Sequence, residues 1–481
     1  MKARMLEIAL AKENRKWWTL LAVSFGLFMI MLDNTVVNVA LPSIASSFHV
    51  QQSELEWVVV GYALSFATFM LTGGKLADRY GRRRLFIVGL IVFTGASLAC
   101  GLATDINFLI GARIVQGVGA AIMNPATLSI ITATFPPRQR GMAIGIWAGV
   151  SAMALAIGPL VGGALTQYAH WSWIFFINVP VGILGIIVTR WAVDESRDTS
   201  QDQRLDLPGL LTSGLGLFAL TYGLIEANNY GWTSPRIVAL FVLSVVFLAA
   251  FVLLEKRQRL PMLDLSLFRN RNYTGANVAM LLITLAMFGI FFFNSLFFQN
   301  ILGYSPTQTG AIFLPMTVLI ILVAPQAGRL SDRIGSRWLI GAGLSLVTLS
   351  LLLFAQLDQS SNFWNVLPGL LTGGFGMALA MTPTTAAAMG SVPVDKAGVG
   401  SAVLNAFRQV GGSLGIAIMG AVVASQISVG PRNPAFAGQF IDGYHLGLYV
   451  AAAIAFTGAL VAVVMIRNVR QVEPAKAAVA A

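Results

Sequence analysis

The stretch Gly74-Lys75-Leu76-Ala77-Asp78-Arg79-Tyr80-Gly81-Arg82-Arg83 returns 254 positions later as Gly328-Arg329-Leu330-Ser331-Asp332-Arg333-Ile334-Gly335-Ser336-Arg337. Gly, Leu, Asp, Arg, Gly and Arg keep their places in both copies, and each copy follows a long apolar run. A weaker echo pairs Gly117-Val118-Gly119 and Asn124-Pro125 with Gly374-Phe375-Gly376 and Thr382-Pro383. Two matches at nearly one offset read as a duplicated unit. Membrane transporters are commonly built from such repeats, with the cargo site near the midplane between them.

Composition says what solvent the repeats live in. Of 481 residues, 56% are hydrophobic and 11% charged, where soluble domains run nearer about a quarter charged. Fourteen apolar segments are long enough to cross a bilayer of about 30 Å, which takes roughly 20 residues. They lie near 18–41, 55–74, 85–103, 108–133, 141–166, 173–193, 208–225, 237–254, 273–298, 309–327, 338–356, 366–389, 399–426 and 444–467. Helices are expected throughout, because a spanning segment must satisfy its own backbone hydrogen bonds. The expected fold is an all-α integral membrane protein of 14 transmembrane helices. Residues 1–200 and 266–481 form two six-helix pseudo-repeats, and 201–265 carries two inserted helices. The first apolar run is too long for a cleavable leader and is expected to act as its own targeting signal.

Charge fixes the orientation. Alternate loops on the side of the N-terminus hold 27 of the 31 Lys and Arg, and the opposite side holds Arg236 and Arg432. By the positive-inside rule both termini are cytoplasmic, and a multi-pass protein of the cell inner membrane is expected. The net charge of +11 would otherwise suggest nucleic acid, but the basic residues are dealt out loop by loop rather than gathered on one face. No nucleic-acid partner is expected. Cys100 is the only cysteine, which rules out a disulfide within the chain. His49, His170 and His445 form no metal-binding cluster, and no GxxxxGK[ST] phosphate loop is present. An ion gradient rather than ATP is the expected fuel, with no cofactor. An intramembrane enzyme would need a catalytic set within the spans, and a lone carboxylate without a His or Cys partner does not supply one.

That carboxylate is Asp33, outward of the middle of span 1 by roughly 5 Å at 1.5 Å per residue. Placing it there costs about 2.5–3.5 kcal/mol on insertion scales, so a function is expected of it. Arg113 in span 4 stands roughly 10 Å outward of its own midpoint, within reach of Asp33 across a cavity. The two are the candidate proton-coupling pair, with a purely structural ion pair as the other reading. Gln116, Ala120, Asn124 and Thr127 continue the Arg113 stripe at helical spacing, which reads as a wet or polar-facing surface. Candidate cavity residues are Asn34, Asn38, Tyr62, Gln116, Asn124, Trp147, Phe288 and Phe292. Arg408 in span 13 reads as structural, either snorkelling or capping carbonyls. Spans 7 and 8 lack mid-span charges and are expected at the periphery.

These residues resemble the major facilitator superfamily. Gly74–Arg84 is similar to its signature after the second helix, and the resemblance makes Gly74, Asp78, Arg79, Gly81 and Arg82 gating residues, with Asp332 and Arg333 a weaker twin. Without the resemblance, the charges of that loop could simply anchor it to the cytoplasmic side. Gly158-Pro159-Leu-Val-Gly162-Gly163 in span 5 looks like the antiporter motif of the superfamily, with Ala154 where the motif usually opens on Gly. Leu32-Asp33-Asn34-Thr35 through Pro42 is similar to the signature of the fourteen-span drug:proton antiporters. The resemblance implies a proton-coupled exporter of hydrophobic drugs, monomeric, with small hydrophobic substrates, protons and the bilayer as partners. The cargo is expected to be singly cationic or neutral to zwitterionic, since Asp33 is the only mid-membrane acid. An exporter or flippase for a lipid or endogenous metabolite is the alternative on the same fold.

Overall fold

Helix α2 (Gln52–Tyr80) does not stop where its apolar run ends. The Asp78 motif reads as a loop from its charges, yet it is helical to Tyr80, and the chain turns on Gly81 alone at φ 113°. Nothing in Lys-Leu-Ala-Asp-Arg breaks a helix, so the helix leaves the apolar layer and carries on. The second copy repeats this, helical to Ile334 and turning on Gly335 at φ 88°.

The computed structural model describes residues 2–197, 206–258, 261, 263–392, 397–429 and 433–467. The remaining helices are α1 (Lys2–Phe48), α3 (Arg82–Gly101), α4 (Ile106–Thr134), α5 (Pro137–Tyr168), α6 (Trp173–Phe176), α7 (Asn178–Ala192), α8 (Leu207–Tyr230) and α9 (Pro235–Arg257). After a short 3-10 turn come α10 (Arg271–Asn300), α11 (Pro306–Ile312), α12 (Leu314–Ile334), α13 (Ser336–Phe354), α14 (Phe363–Met389), α15 (Ala397–Gln426) and α16 (Phe436–Met465). Among the described residues, 13 stretches are long and apolar enough to cross a membrane, with α6–α7 and α11–α12 each counting as one. The 32-residue α5 is not among the 13.

The duplication is visible in the packing. In the first half α4 packs on α2 and α3, α1 on α5 and α7, and α3 on α7. In the second half α14 packs on α12 and α13, α10 on α15 and α16, and α13 on α16. The weak glycine echo has a physical cause. A Cβ on Gly119 would meet the backbone of Phe93 at 2.6 Å, and one on Gly376 would meet that of Val347 at 2.8 Å. Gly117 and Gly374 lie equally close to α2 and α12. Small residues let these helices approach backbone to backbone, which supplies the packing that lipid cannot.

The halves meet through α2 on α15, α5 on α11 and α12, and α1 on α10. Close approaches between the halves cluster at the end away from the Asp78 motif. Gln299 donates to the Val39 carbonyl at 2.9 Å, the Thr307 N–H donates to Gln167 at 3.1 Å, and Gly163 and Gly310 abut the α11 and α5 backbones. At the basic end, hydrogen bonds such as Tyr273 to the Gly400 carbonyl stay within one half. Inserted helix α8 lies against both α2 and α15, and α9 packs on α8. The best window of α9 has mean hydropathy 3.2 and is 11% buried, whereas that of α2 has 1.5 and is 78% buried. The more polar helix is inside and the more apolar one outside, as a lipid solvent requires.

Candidate functional site

Helix α1 carries two chemistries on two faces. Asp33 is fully buried and pairs with Arg113 of α4, itself 1% exposed. The pair is clamped from several sides. Gln116 donates to the other Asp33 oxygen at 2.9 Å and accepts from Arg113 at 2.6 Å, while Arg113 Nε donates to the Val58 carbonyl at 2.9 Å. Gln116 also donates to Ser97 at 2.7 Å. The Tyr62 ring lies 4.3 Å from the guanidinium carbon, a cation–π distance. Every polar group of this cluster except the Tyr62 hydroxyl has a partner, which is what makes a buried charge tolerable. The Arg113 stripe is therefore protein-facing: Gln116, Ala120, Asn124 and Thr127 are all buried.

The other face of α1 opens on a cavity of about 150 Å³ between the halves. Met31, Asn34, Thr35 and Asn38, spaced one helical face apart, line it from one side. Pro159 of α5 joins them, and Phe288 and Phe291 of α10, Thr317, Ile320 and Ile321 of α12, Met377 and Met381 of α14, and Arg408 and Gln409 of α15 close it. Of the residues expected at the cavity, Asn34, Asn38 and Phe288 line it. Phe292 points into the core behind, and Phe291 takes the place read for it. Tyr62, Gln116, Asn124 and Trp147 do not line the cavity: the first two belong to the Asp33 cluster, Asn124 is buried in α4, and Trp147 packs against the core of the first half. Arg408, read as structural, stands in the cavity wall.

Gly158-Pro159-Leu160-Val161-Gly162-Gly163 presses α5 against α1 and α11. A Cβ on Gly158 or Gly162 would overlap Thr35 or Val36, and one on Gly163 would overlap Pro306. At the basic end Asp78 accepts from Arg82 at 2.9 Å within its own motif. Glu195, which the sequence reading passed over, accepts from the Arg83 and Arg84 N–H groups at 3.1 and 3.2 Å. It thus caps the first turn of α3, where unsatisfied N–H groups and the helix dipole favour an anion. A Cβ on Gly74 would meet Pro125 only at ordinary contact distance, and Arg79 lies 5.2 Å from the Tyr80 ring. Arg333 is exposed, and the side chain of Asp332 lies outside the described residues. A second acid was also missed: Glu56 is 2% exposed, receives a hydrogen bond from Gln52 at 2.9 Å, and faces Gly420 of α15 so closely that a Cβ there would overlap its carboxylate. It lies in the first turns of α2, and the contact with α15 of the other half covers it.

The family model described as Major Facilitator Superfamily matches residues 23–416 and, separately, 277–481. The chain belongs to the major facilitator superfamily. It is similar to the multidrug resistance protein Stp of Mycobacterium tuberculosis, 40% identical over 411 residues, covering 85% of this chain and 76% of that protein. It is likewise similar to the tetracenomycin C resistance and export protein of Streptomyces glaucescens, 35% identical over 419 residues, covering 86% and 77%. Among solved structures, a bacterial homolog of the human lysosomal transporter Spinster, inward-facing and unoccupied, superposes with a TM-score of 0.67 at 17% identity, covering 94% of this chain and 97% of that one. This superfamily member is a multi-pass membrane transporter for small molecules, not an enzyme.

Proposed function

We propose that this superfamily member is a proton-coupled antiporter that exports hydrophobic drugs across the cytoplasmic membrane by alternating access. The observation that carries the reading is that the two faces of α1 hold a clamped carboxylate and a cavity between the halves side by side. Protonation of Asp33 would release Arg113 and Gln116, and any shift of α1 that follows moves Asn34 and Asn38 in the cavity wall. The names of the relatives, a multidrug resistance protein and a resistance and export protein, support drugs as the cargo. The cavity is smaller than the roughly 300–1,000 Å³ of drug-sized sites, so cargo access requires the halves to part further at the basic end.

In this reading α5 is the fourteenth span, both termini are cytoplasmic, and the units are 1–200, 201–265 and 266–481. The repeated packing supports the division. Of the cargo classes the sequence allowed, singly cationic or neutral to zwitterionic, the second suits the cavity better, because its lining residues include Arg408 and no acid. The test is Asp33→Asn in vesicles with an imposed pH gradient. Uphill, pH-driven export should be lost while cargo binding and downhill passage persist. Retained accumulation in the Asn variant would remove Asp33 from the mechanism.

A further inference from the structure

Among the described residues, no carboxylate answers Arg408. No ion pair to it is formed there, and the ionisable side chain that acts on it electrostatically is the Tyr62 phenol. Asp33, the acid of the neighbouring cluster, is already paired with Arg113 and is not among the residues that line the cavity. An unanswered guanidinium in a mostly apolar chamber within the membrane is costly, so a counter-group is expected to arrive from outside the protein. The neighbours suit an acidic aromatic molecule: Phe288 and Phe291 line the chamber, and the amides of Asn34, Asn38 and Gln409 can donate to an anion, the first two through the N–H left over from a backbone hydrogen bond. A second feature points the same way. The Tyr62 hydroxyl is buried without a hydrogen-bond partner and is within electrostatic reach of both Arg408 and the Asp33–Arg113 pair.

Resting on the export reading above, we infer that this cavity selects hydrophobic cargo bearing an anionic group, carboxylate or sulfonate, held by the Arg408 guanidinium. Arg suits this role because its planar fork binds such groups through two parallel hydrogen bonds. A monocation is disfavoured by the same charge. Transport changes character accordingly. One proton inward exchanged for one monoanion outward moves two charges in the same electrical sense, so an inside-negative potential drives export together with the pH difference. A monocation exchanged for a proton moves none.

The test uses two probes with one aromatic body, naphthalene-2-sulfonate and trimethyl-2-naphthylammonium, with the full-length protein in lipid vesicles. The sulfonate should bind more tightly, and its export should quicken when a potassium–valinomycin potential, negative on the cytoplasmic side, is added to a fixed pH gradient. Arg408→Gln should weaken sulfonate binding by about ten- to hundredfold, the worth of a charge-assisted hydrogen bond, and leave the ammonium unchanged or improved. Arg408→Lys, which keeps the charge, should retain the preference even if Arg408→Gln does not fold. Tighter binding of the ammonium by the native protein, or sulfonate affinity within twofold in Arg408→Gln, would overturn the inference. So would export indifferent to potential. Native protein that exports both probes by pH gradient, with no role for Arg408, would leave the export reading standing and sink this one alone. Export of neither probe in any gradient would count against both.

Discussion

Gly81 carries two constraints at once. Its φ of 113° is strained for any side chain, and a Cβ there would fall 2.6 Å from the Glu195 carboxyl that caps α3. Gly81→Val should therefore cost about 1–3 kcal/mol from the backbone conformation alone, read as a lower melting temperature in detergent. Transport should slow while cargo affinity stays within a few-fold, because the turn is far from the cavity. Equal losses in affinity and rate would mean that the turn shapes the cargo site instead. Glu195→Gln tests the cap separately. It keeps an acceptor for one N–H but loses the charge that the helix start favours, so a smaller loss, about 0.3–1 kcal/mol, is expected. A loss as large as that of Gly81→Val would show that Glu195 does more than cap.

At the scale of elements, the glycines divide by what they touch. Gly119 in α4 and Gly376 in α14 sit at corresponding backbone-to-backbone crossings, whereas Gly95 in α3 and Gly111 in α4 have nothing within 4 Å. Leucine at either crossing should destabilise by about 1–3 kcal/mol, the usual cost of overpacking, with similar effects in the two halves. Leucine at Gly95 or Gly111 should change melting little, and a large loss there would show a partner helix covering that face. Helix α9 makes the complementary case. Its exposed Val238, Val242, Val245 and Val246 form a surface only a lipid or another protein could wet.

For the whole molecule, closure at the end away from the basic loops is the state described. The Thr307 N–H bonded to Gln167 across the halves marks that closure. A Gln167→Cys/Thr307→Cys pair is expected to cross-link under oxidant, stop export, and recover it on reduction. The native chain offers little interference, since its one cysteine, Cys100, is buried. Export that continues while the cross-link is complete would show that the halves need not part at this end.

The periodicity of apolar runs and the spacing of Lys and Arg were enough to read a helical membrane protein and its duplication, because lipid leaves the chain few alternatives. The sequence also singled out Asp33 and Arg113, since a charge amid apolar residues is conspicuous wherever it points. Which way each side chain points was not legible. Phe291 and Phe292 are adjacent and alike, yet one lines the cavity and the other packs in the core. Arg408 looked like a snorkelling or carbonyl-capping charge until α10, α12 and α14 enclosed it, and Glu56, which the sequence does not single out, is buried where α15 lies against α2. The Asp78 motif looked like a loop because charge marks the edge of the bilayer, while the helix ends only where a backbone of positive φ forces the turn. Facing, burial and closure depend on contacts between residues hundreds of positions apart, and only the tertiary structure supplies those.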